Sequence, residues 1–270
     1  MISIVTPVHN AERYLKGCIE SVLAQDYPYI EQVFVDNMSN DGTANILAEY
    51  KKKYPDRITI HRGRDANPEE AWNIGIKLAS GEILSWLGAD DLLVPGAINK
   101  VVSYFESNPK AFFLYGECEL INASGESIGY YPTAEFNMDL MLNHRNVVPC
   151  TSAFYKKDMF ERIGYVIPEG SDYELWLRIG EHYSAHYLNG EVLSKFRVHD
   201  DGHSSSNKNT AMILRRVYKA SRKHGGSIFS THHIIYRINS ITQFLNPVIG
   251  FTYPFLKTIF RKFHPSVRTK

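Results

Sequence analysis

The chain has 270 residues, 44% of them hydrophobic and 22% charged, with a net charge of +1; this is ordinary soluble globular composition, long enough for one large α/β domain with an appendage. Three scattered cysteines, Cys18, Cys118 and Cys150, exclude a disulfide framework and a cysteine-built zinc site and point to a reducing compartment. The near-neutral total conceals a segregation. All 29 acidic residues precede Gly202, whereas Gly202 to Lys270 carries twelve Lys and Arg and no acid, so body and tail are expected to meet different partners.

In chain order, Ile2 to Thr6 reads as a short buried strand that starts without the basic region or apolar core of a signal peptide, as expected of a cytoplasmic protein. Ala11 to Gln25 reads as a helix, Gln32 to Val35 as a strand, Asp41-Gly42-Thr43 to Lys53 as a helix and Ile58 to Ile60 as a strand. Pro68 to Ala79 is a helix with Pro in its first turn and Ser80-Gly81 after its end. Glu82 to Leu87 is a strand and Pro95 to Glu106 a helix. This alternation predicts an α/β fold with a mostly parallel sheet flanked by helices, its ligands at the carboxyl ends of the strands. The second half is mixed: strands over Ala111 to Leu120, Ile128 to Tyr130, Val147 to Tyr155, Ala185 to Leu188 and Val192 to Val198, a helix over Asp172 to Glu181, and helical pattern beyond Asn207.

The strand tips are polar. The fourth delivers Leu87-Gly88-Ala89-Asp90-Asp91, two adjacent carboxylates that repel each other unless a cation sits between them and a ligand; a divalent metal carrying a diphosphate fits, and a helix-capping turn is the plainer reading. No Gly-x-Gly-x-x-Gly follows the first strand and no Gly-x-x-x-x-Gly-Lys occurs. Instead the first tip is Thr6-Pro7-Val8-His9-Asn10 and the second Asp36-Asn37-Met38-Ser39-Asn40-Asp41. Asp36 is placed to accept from a base N–H with Thr6 near its other edge, while Asn10 and Asp41 also suit helix capping.

These pieces, with Ala71-Trp72-Asn73-Ile74-Gly75-Ile76 and Ala79-Ser80-Gly81-Glu82, resemble the ordered motifs of the family 2 glycosyltransferases of A-type fold, over roughly Met1 to His199. The resemblance implies a GT-A domain over 1–205, with a nucleotide-binding half over 1–110 and an acceptor half over 111–205, followed by a basic helical extension over 206–270. It implies an inverting, non-processive hexosyl or other glycosyltransferase that uses a nucleotide-diphosphate sugar, commonly a uridine one in the family, and Mn²⁺ or Mg²⁺. Thr6, Pro7, Val8, Asn10, Asp36, Asn37 and Ser39 would bind the nucleoside, Asn73 would lie near ribose and diphosphate, and Asp90 would meet ribose or the donor sugar. The metal falls to Asp91, shared with Asp90, with His199 completing its shell and Arg197 holding phosphate. Two departures stand out: Asn37 and Met38 replace the acid and glycine of the usual second-strand motif, and Gly88 stands where many members carry an acid or amide. No Gln-x-x-Arg-Trp segment is present, which speaks against processive synthesis.

Gly170-Ser171-Asp172-Tyr173-Glu174-Leu175-Trp176-Leu177-Arg178 is similar to the family's catalytic helix start and makes Asp172 the implied base. Ser171 and Glu174 also read as a capping box, and Asp172 in the first turn would be kept ionised by the helix dipole. The tail mixes basic and aromatic residues from Ile234 to Phe263, with Asn246-Pro247 and Tyr253-Pro254 breaking any continuous helix. It is expected to lie against an anionic membrane face, a lipid-linked or other glycan being the acceptor; the alternative is a helical appendage packed on the domain. Nucleic acid is not expected as a partner. A sugar-nucleotide-binding module without catalysis, working through its tail, is the alternative in a different functional class.

Overall fold

In the computed structural model, residues 1–168, 171–200, 202, 209–235 and 237 are described. The elements are β1 (Ile2–Val8), α1 (Leu15–Leu23), β2 (Ile30–Asp36), α2 (Thr43–Lys53), β3 (Ile58–Arg62), α3 (Pro68–Leu78), β4 (Ile83–Trp86), β5 (Leu92–Leu93), α4 (Ala97–Ser107), β6 (Phe113–Ile121), β7 (Ser127–Tyr130), α5 (Met138–Asn143), β8 (Ala153–Lys156), α6 (Met159–Ile163), α7 (Ser171–His182), β9 (Ala185–Arg197) and α8 (Thr210–Lys223). One sheet runs in the order β3-β2-β1-β4-β8-β6-β9-β5, with β7 on the side of β6. The parallel sheet expected from the alternation is present over β3-β2-β1-β4. Beyond β4 the ladder reverses at β8, and the second half is mixed. Strand order therefore changes direction around β1 and β4, which leaves a crevice beyond their carboxyl ends.

Alternation along β1 splits the core. Ile2 and Ile4 face Cys18 and Val22 of α1 and Ile98 and Val101 of α4, whereas Val5 faces Ile76 of α3 and the helices of the second half. Two glycines set the closeness of α3. A Cβ on Gly75 would come within 2.2 Å of Val5, so only glycine lets the helix press this far onto β1. A Cβ on Gly81 would meet Ser3, whose hydroxyl donates to the buried Glu31 at 2.6 Å and accepts from the Gly81 N–H at 2.7 Å. The segment from Ala71 to Glu82 thus earns its residue types largely through packing.

Three expectations change. Residues Val147 to Ser152 are not strand: Cys150–Ser152 is a tight 3₁₀ turn, and the strand starts at Ala153. The two strands expected at Ala185 and Val192 are one, β9, whose register against β6 slips around Gly116 and Glu117. The capping box does not form, because Glu174 turns away from the helix start to meet Arg178, Lys223 and His224. Asn67 instead caps α3, accepting from the Glu70 N–H, while the Glu70 carboxylate accepts from the Ala66 N–H.

The described part of the extension packs on the domain. Leu214 and Ala220 of α8 are buried, Ser221 donates to the Leu142 carbonyl at 2.7 Å, and Arg216 pairs with Glu69 at 2.8 Å. The stretch expected to meet a membrane, Ile234 to Phe263, lies outside the described residues apart from Ile234, Ile235 and Arg237. Among the described residues no helix is long and apolar enough to cross a membrane.

Candidate active site

The tips of β1, β2 and β3 form one end of the crevice. Asp36 is buried; its Oδ1 accepts from the Ser39 N–H at 3.0 Å and the Ser39 hydroxyl at 2.5 Å, and its Oδ2 lies 3.4 Å from Arg62 Nε. That oxygen is buried and accepts no hydrogen bond, which leaves it an acceptor position. Asn37 donates to the Asp65 carboxylate at 2.9 Å. An acid at 37 would repel Asp65, so the departure to Asn is a local electrostatic necessity. Met38 keeps the left-handed backbone of the usual glycine, with φ 51°, at a cost of about 1 kcal/mol. Asn10, also left-handed at φ 49°, accepts from the Asn40 N–H and ties the first tip to the second.

Several residues expected to touch the donor do other work. Thr6 is fully buried and its hydroxyl accepts from Gln32 at 3.0 Å inside the sheet; Val8 belongs to the core between α1 and β2. Only Pro7, half-buried, and the exposed His9 and Asn10 reach the surface of this tip. Asn73 clamps the backbone of Val166 with both amide atoms, at 2.9 and 3.1 Å, and so fixes the approach to α7. Arg197 is mostly buried: Nε donates to the Asp90 carbonyl, Nη1 to those of Asn122 and Ala123, and the guanidinium lies 4.6 Å from the Tyr14 ring. With these carbonyls as its partners, Arg197 holds the acidic loop.

The acidic loop folds back on itself. A Cβ on Gly88 would lie 2.4 Å from Asp91 Oδ2 and 2.8 Å from Asp90 Oδ1, so the two carboxylates converge over the bare Cα of residue 88. An acid at this position would displace the pair that the loop gathers. Asp91 Oδ1 accepts from the Arg197 N–H at 2.8 Å, and Asp90 Oδ2 lies 2.8 Å from His199 Nε2. Burial drives the Asp91 carboxyl well above the usual range, with the charge of Asp90 adding to it. This like-charged pair beside an imidazole is a donor set that suits Mn²⁺ or Mg²⁺, and a cation there would offset the repulsion. Among the described residues no group of three His, Cys, Asp or Glu side chains forms a ready cage. Asp90, Asp91 and His199 would hold a cation together with ligand oxygens.

Asp172 opens α7 after Ser171, which is left-handed at φ 54°. It is half-buried, and Oδ1 accepts from the Tyr173 N–H at 2.9 Å. Burial pushes its carboxyl up to about 6, against the pull of that hydrogen bond, and the charge of Glu69 raises it further. The helix dipole was expected to keep it a weak base; desolvation wins, and a carboxylate near 6 is a stronger base for work at neutral pH. Cys150, in the 3₁₀ turn, joins the two carboxylate groups. Burial raises its thiol well above the usual range, and the charges of Asp172 and Asp91 push the same way, so both lie within electrostatic reach of one sulfur. Cys150, Arg62 and Glu69 were not anticipated. Their positions carry no residue-type signal: a thiol after Pro149, a basic strand end and an acid in a helix's first turn are all commonplace.

Residues 3–164 match the family described as "Glycosyl transferase family 2". An uncharacterized glycosyltransferase of Rickettsia felis is 31% identical over 213 residues, which are 74% of this chain and 35% of that protein. The minor teichoic acid biosynthesis protein GgaB of Bacillus subtilis is 27% identical over 75% of this chain and 23% of its own length. The chain thus spans about a third or less of these two relatives. Among solved structures, S. aureus TarS in complex with UDP-GlcNAc superposes with a TM-score of 0.65 at 16% identity, over 99% of this chain and 81% of that one. The mannosyltransferase PcManGT of Pyrobaculum calidifontis, in complex with GDP-Man and Mn²⁺, gives 0.65 at 17% identity, over 98% and 76%. A family match across more than half of the chain, on a fold shared with these structures over nearly its whole length, makes the protein a member of glycosyl transferase family 2.

Proposed function

We propose that the chain moves a sugar from a nucleotide-diphosphate sugar, a uridine one in our reading, onto an acceptor hydroxyl with inversion. The observation that carries this is the pair Asp90 and Asp91, whose carboxylates converge over Gly88 beyond the end of β4 in a chain of glycosyl transferase family 2; the influence of both Asp91 and Asp172 on the Cys150 thiol supports one shared site for donor motif and base. Asp172 takes the proton of the acceptor hydroxyl, whose oxygen forms the new bond to the anomeric carbon as the bond to the diphosphate breaks and leaves its electron pair there. One displacement by one activated oxygen inverts the carbon. Asp36 Oδ2 accepts from the base, and Asp90 and Asp91 face the diphosphate end. Asp90, Asp91 and His199 would hold a divalent cation, which would supply Lewis-acid neutralisation of the leaving diphosphate. The complexes of TarS with UDP-GlcNAc and of PcManGT with GDP-Man and Mn²⁺ support a nucleotide-sugar donor and a divalent metal. The name of GgaB supports a place in cell-surface glycan assembly.

A thermal-shift screen of UDP- and GDP-sugars, each with and without Mn²⁺, tests this reading. A UDP-sugar is expected to raise Tm, more so with Mn²⁺; at a hundredfold excess over Kd the stabilisation is about 2.7 kcal/mol. A response confined to GDP-sugars would correct the base, and no response to any donor would sink the reading.

We place the protein on the inner membrane face, as a peripheral protein. Ile228, Phe229 and Ile234 are exposed, Phe229 by 81%, around a groove that also holds Arg222 and Arg237. Apolar side chains amid cations on an acid-free segment suit an anionic bilayer surface. Flotation with phosphatidylglycerol vesicles is expected to carry the protein, and Phe229→Glu to weaken binding at least about threefold, since about 1 kcal/mol of insertion is lost. Equal flotation of the variant would remove this surface from the interaction.

A further inference from the structure

An aromatic stack through β4 links α3 to α7. Trp72 of α3 lies flat on Trp86, ring centroids 4.4 Å apart and planes 2° off parallel, and Trp86 touches Trp176 of α7 at 5.7 Å. Glu69 precedes Trp72 by three residues and Asp172 precedes Trp176 by four, so each carboxylate sits one turn toward the N-terminus from its own tryptophan. The stack therefore brings both carboxylates to the same side. Glu69 is 1% exposed; its Oε1 meets Arg216 Nη1 at 2.8 Å, and its Oε2 is buried and accepts no hydrogen bond. A carboxylate so deep stays ionised only with a compensating charge. That charge comes from α8, outside the residues matched by the family.

We propose that Arg216 is a positioning residue of the active site: reaching in from the C-terminal helix, it holds Glu69 as a compensated anion beside Asp172, so the extension sets the charge around the base. Its meaning for rate rests on the reading of Asp172 as base; the electrostatic link does not. The influence of Glu69 on the Asp172 carboxyl supports the link. The other titratable groups facing Asp172 are the Cys150 thiol from the 3₁₀ turn, the Tyr131 phenol from the loop before α5 and the Tyr155 phenol from β8, all raised by burial and so neutral below pH 8. Among these neighbours the Glu69 carboxylate, paired with Arg216, is the charged one.

The test titrates the full chain by ¹³C NMR with carboxyl-labelled aspartate, the Asp172 signal being assigned by its loss in Asp172→Asn. Glu69→Gln is expected to lower the Asp172 midpoint by about 0.5 in pH, half of what a direct charge partner gives at the low end, and Arg216→Gln to lower it by about as much, because a buried carboxylate deprived of its compensating cation takes up a proton and loses its charge. Arg216→Lys should return the midpoint most of the way. In the Glu69→Gln background, Arg216→Gln should add little, because the anion it compensates is gone. A merely structural Arg216 would not make the two single variants and the double variant titrate alike. An Arg216→Gln midpoint unchanged within 0.2, or one that moves equally in both backgrounds, overturns the proposal. Should Arg216→Gln alone not fold, the Glu69→Gln midpoint decides, and no change there overturns it. Retained transferase activity in Asp172→Asn would sink the base and leave these midpoints as they are, so the two failures are distinct.

Discussion

Asp172→Asn is expected to lower transferase turnover by about 10³-fold, within the range that a positioned general base supplies, while making the protein more stable at neutral pH. The sign follows from the raised carboxyl. Burial lifts Asp172 from an ordinary 3.8 to about 6, so between those values the folded chain holds a proton that the unfolded chain has lost. Stability from this group is therefore undiminished at pH 3 to 4, falls as pH rises toward 6, and is constant at its lower level beyond. The ionised form costs about 2–3 kcal/mol above pH 6. The neutral amide removes that cost, so the variant should gain about 1–2 kcal/mol at pH 8 and nothing at pH 4. Denaturation at the two pH values, beside turnover with a donor found by thermal shift, checks both halves. Activity near wild type with intact donor binding would end the assignment. A loss of activity accompanied by a loss of stability would show that Asp172 works as scaffold instead. In the wild type, the acid limb of the rate profile should fall near pH 6.

Glu174→Ala should be the most destabilising single change in the second half, by about 3–5 kcal/mol, because it strands several cations around a buried site. Glu174 is 1% exposed and receives Arg178 Nε at 2.7 Å, Lys223 Nζ at 2.9 Å and His224 Nε2 at 3.3 Å. Burial alone would raise its carboxyl; hydrogen bonds from His224, Lys223 and Arg178 overturn that and hold it near 2. Hydrogen bonding to Glu174 is also the main force that raises the His224 imidazole. The Glu174 contribution is present above pH 4.5 and lost as pH falls toward 2. The His224 contribution is whole below 6.5 and lost as pH climbs through its raised value. A melting temperature lower by about 10 °C is expected. Glu181→Ala, which removes only the partly exposed second partner of His224, is the control and should cost under about 1 kcal/mol. If the two variants melt alike, Glu174 is not what fastens α8 to α7.

The parallel half was legible because its signals are dense: apolar runs of strand length alternate with helices whose ends carry Pro, Gly and Asn. The second half was not, since Val147 and Val148 are apolar for burial in a loop, and a six-residue α5 leaves too few turns for a period to show. Within the site, Asp36 ends β2, Asp90 and Asp91 follow β4 and Asp172 starts α7, while Thr6, Asn73 and Arg197 are held by contacts inside the protein. Each belongs to a motif, but a motif marks where a residue type is needed without telling a ligand contact from a clamp: a hydroxyl, an amide and a guanidinium satisfy buried backbone as readily as substrate. The absent acid at 88 was visible in the sequence; its cause, two carboxylates folded over one Cα, needed coordinates.

The chain has three tryptophans, and Trp72, Trp86 and Trp176 are those three, joined in one stack. Its intrinsic fluorescence consequently comes from a single place, one helical turn from Asp172 on one side and from Glu69 on the other. The parallel faces of Trp72 and Trp86 couple their transitions, and Trp86 stands at the end of the strand that delivers the acidic loop. Tryptophan emission, excited apart from the seventeen tyrosines, therefore reports on the surroundings of Asp172 and Glu69 rather than averaging over the fold.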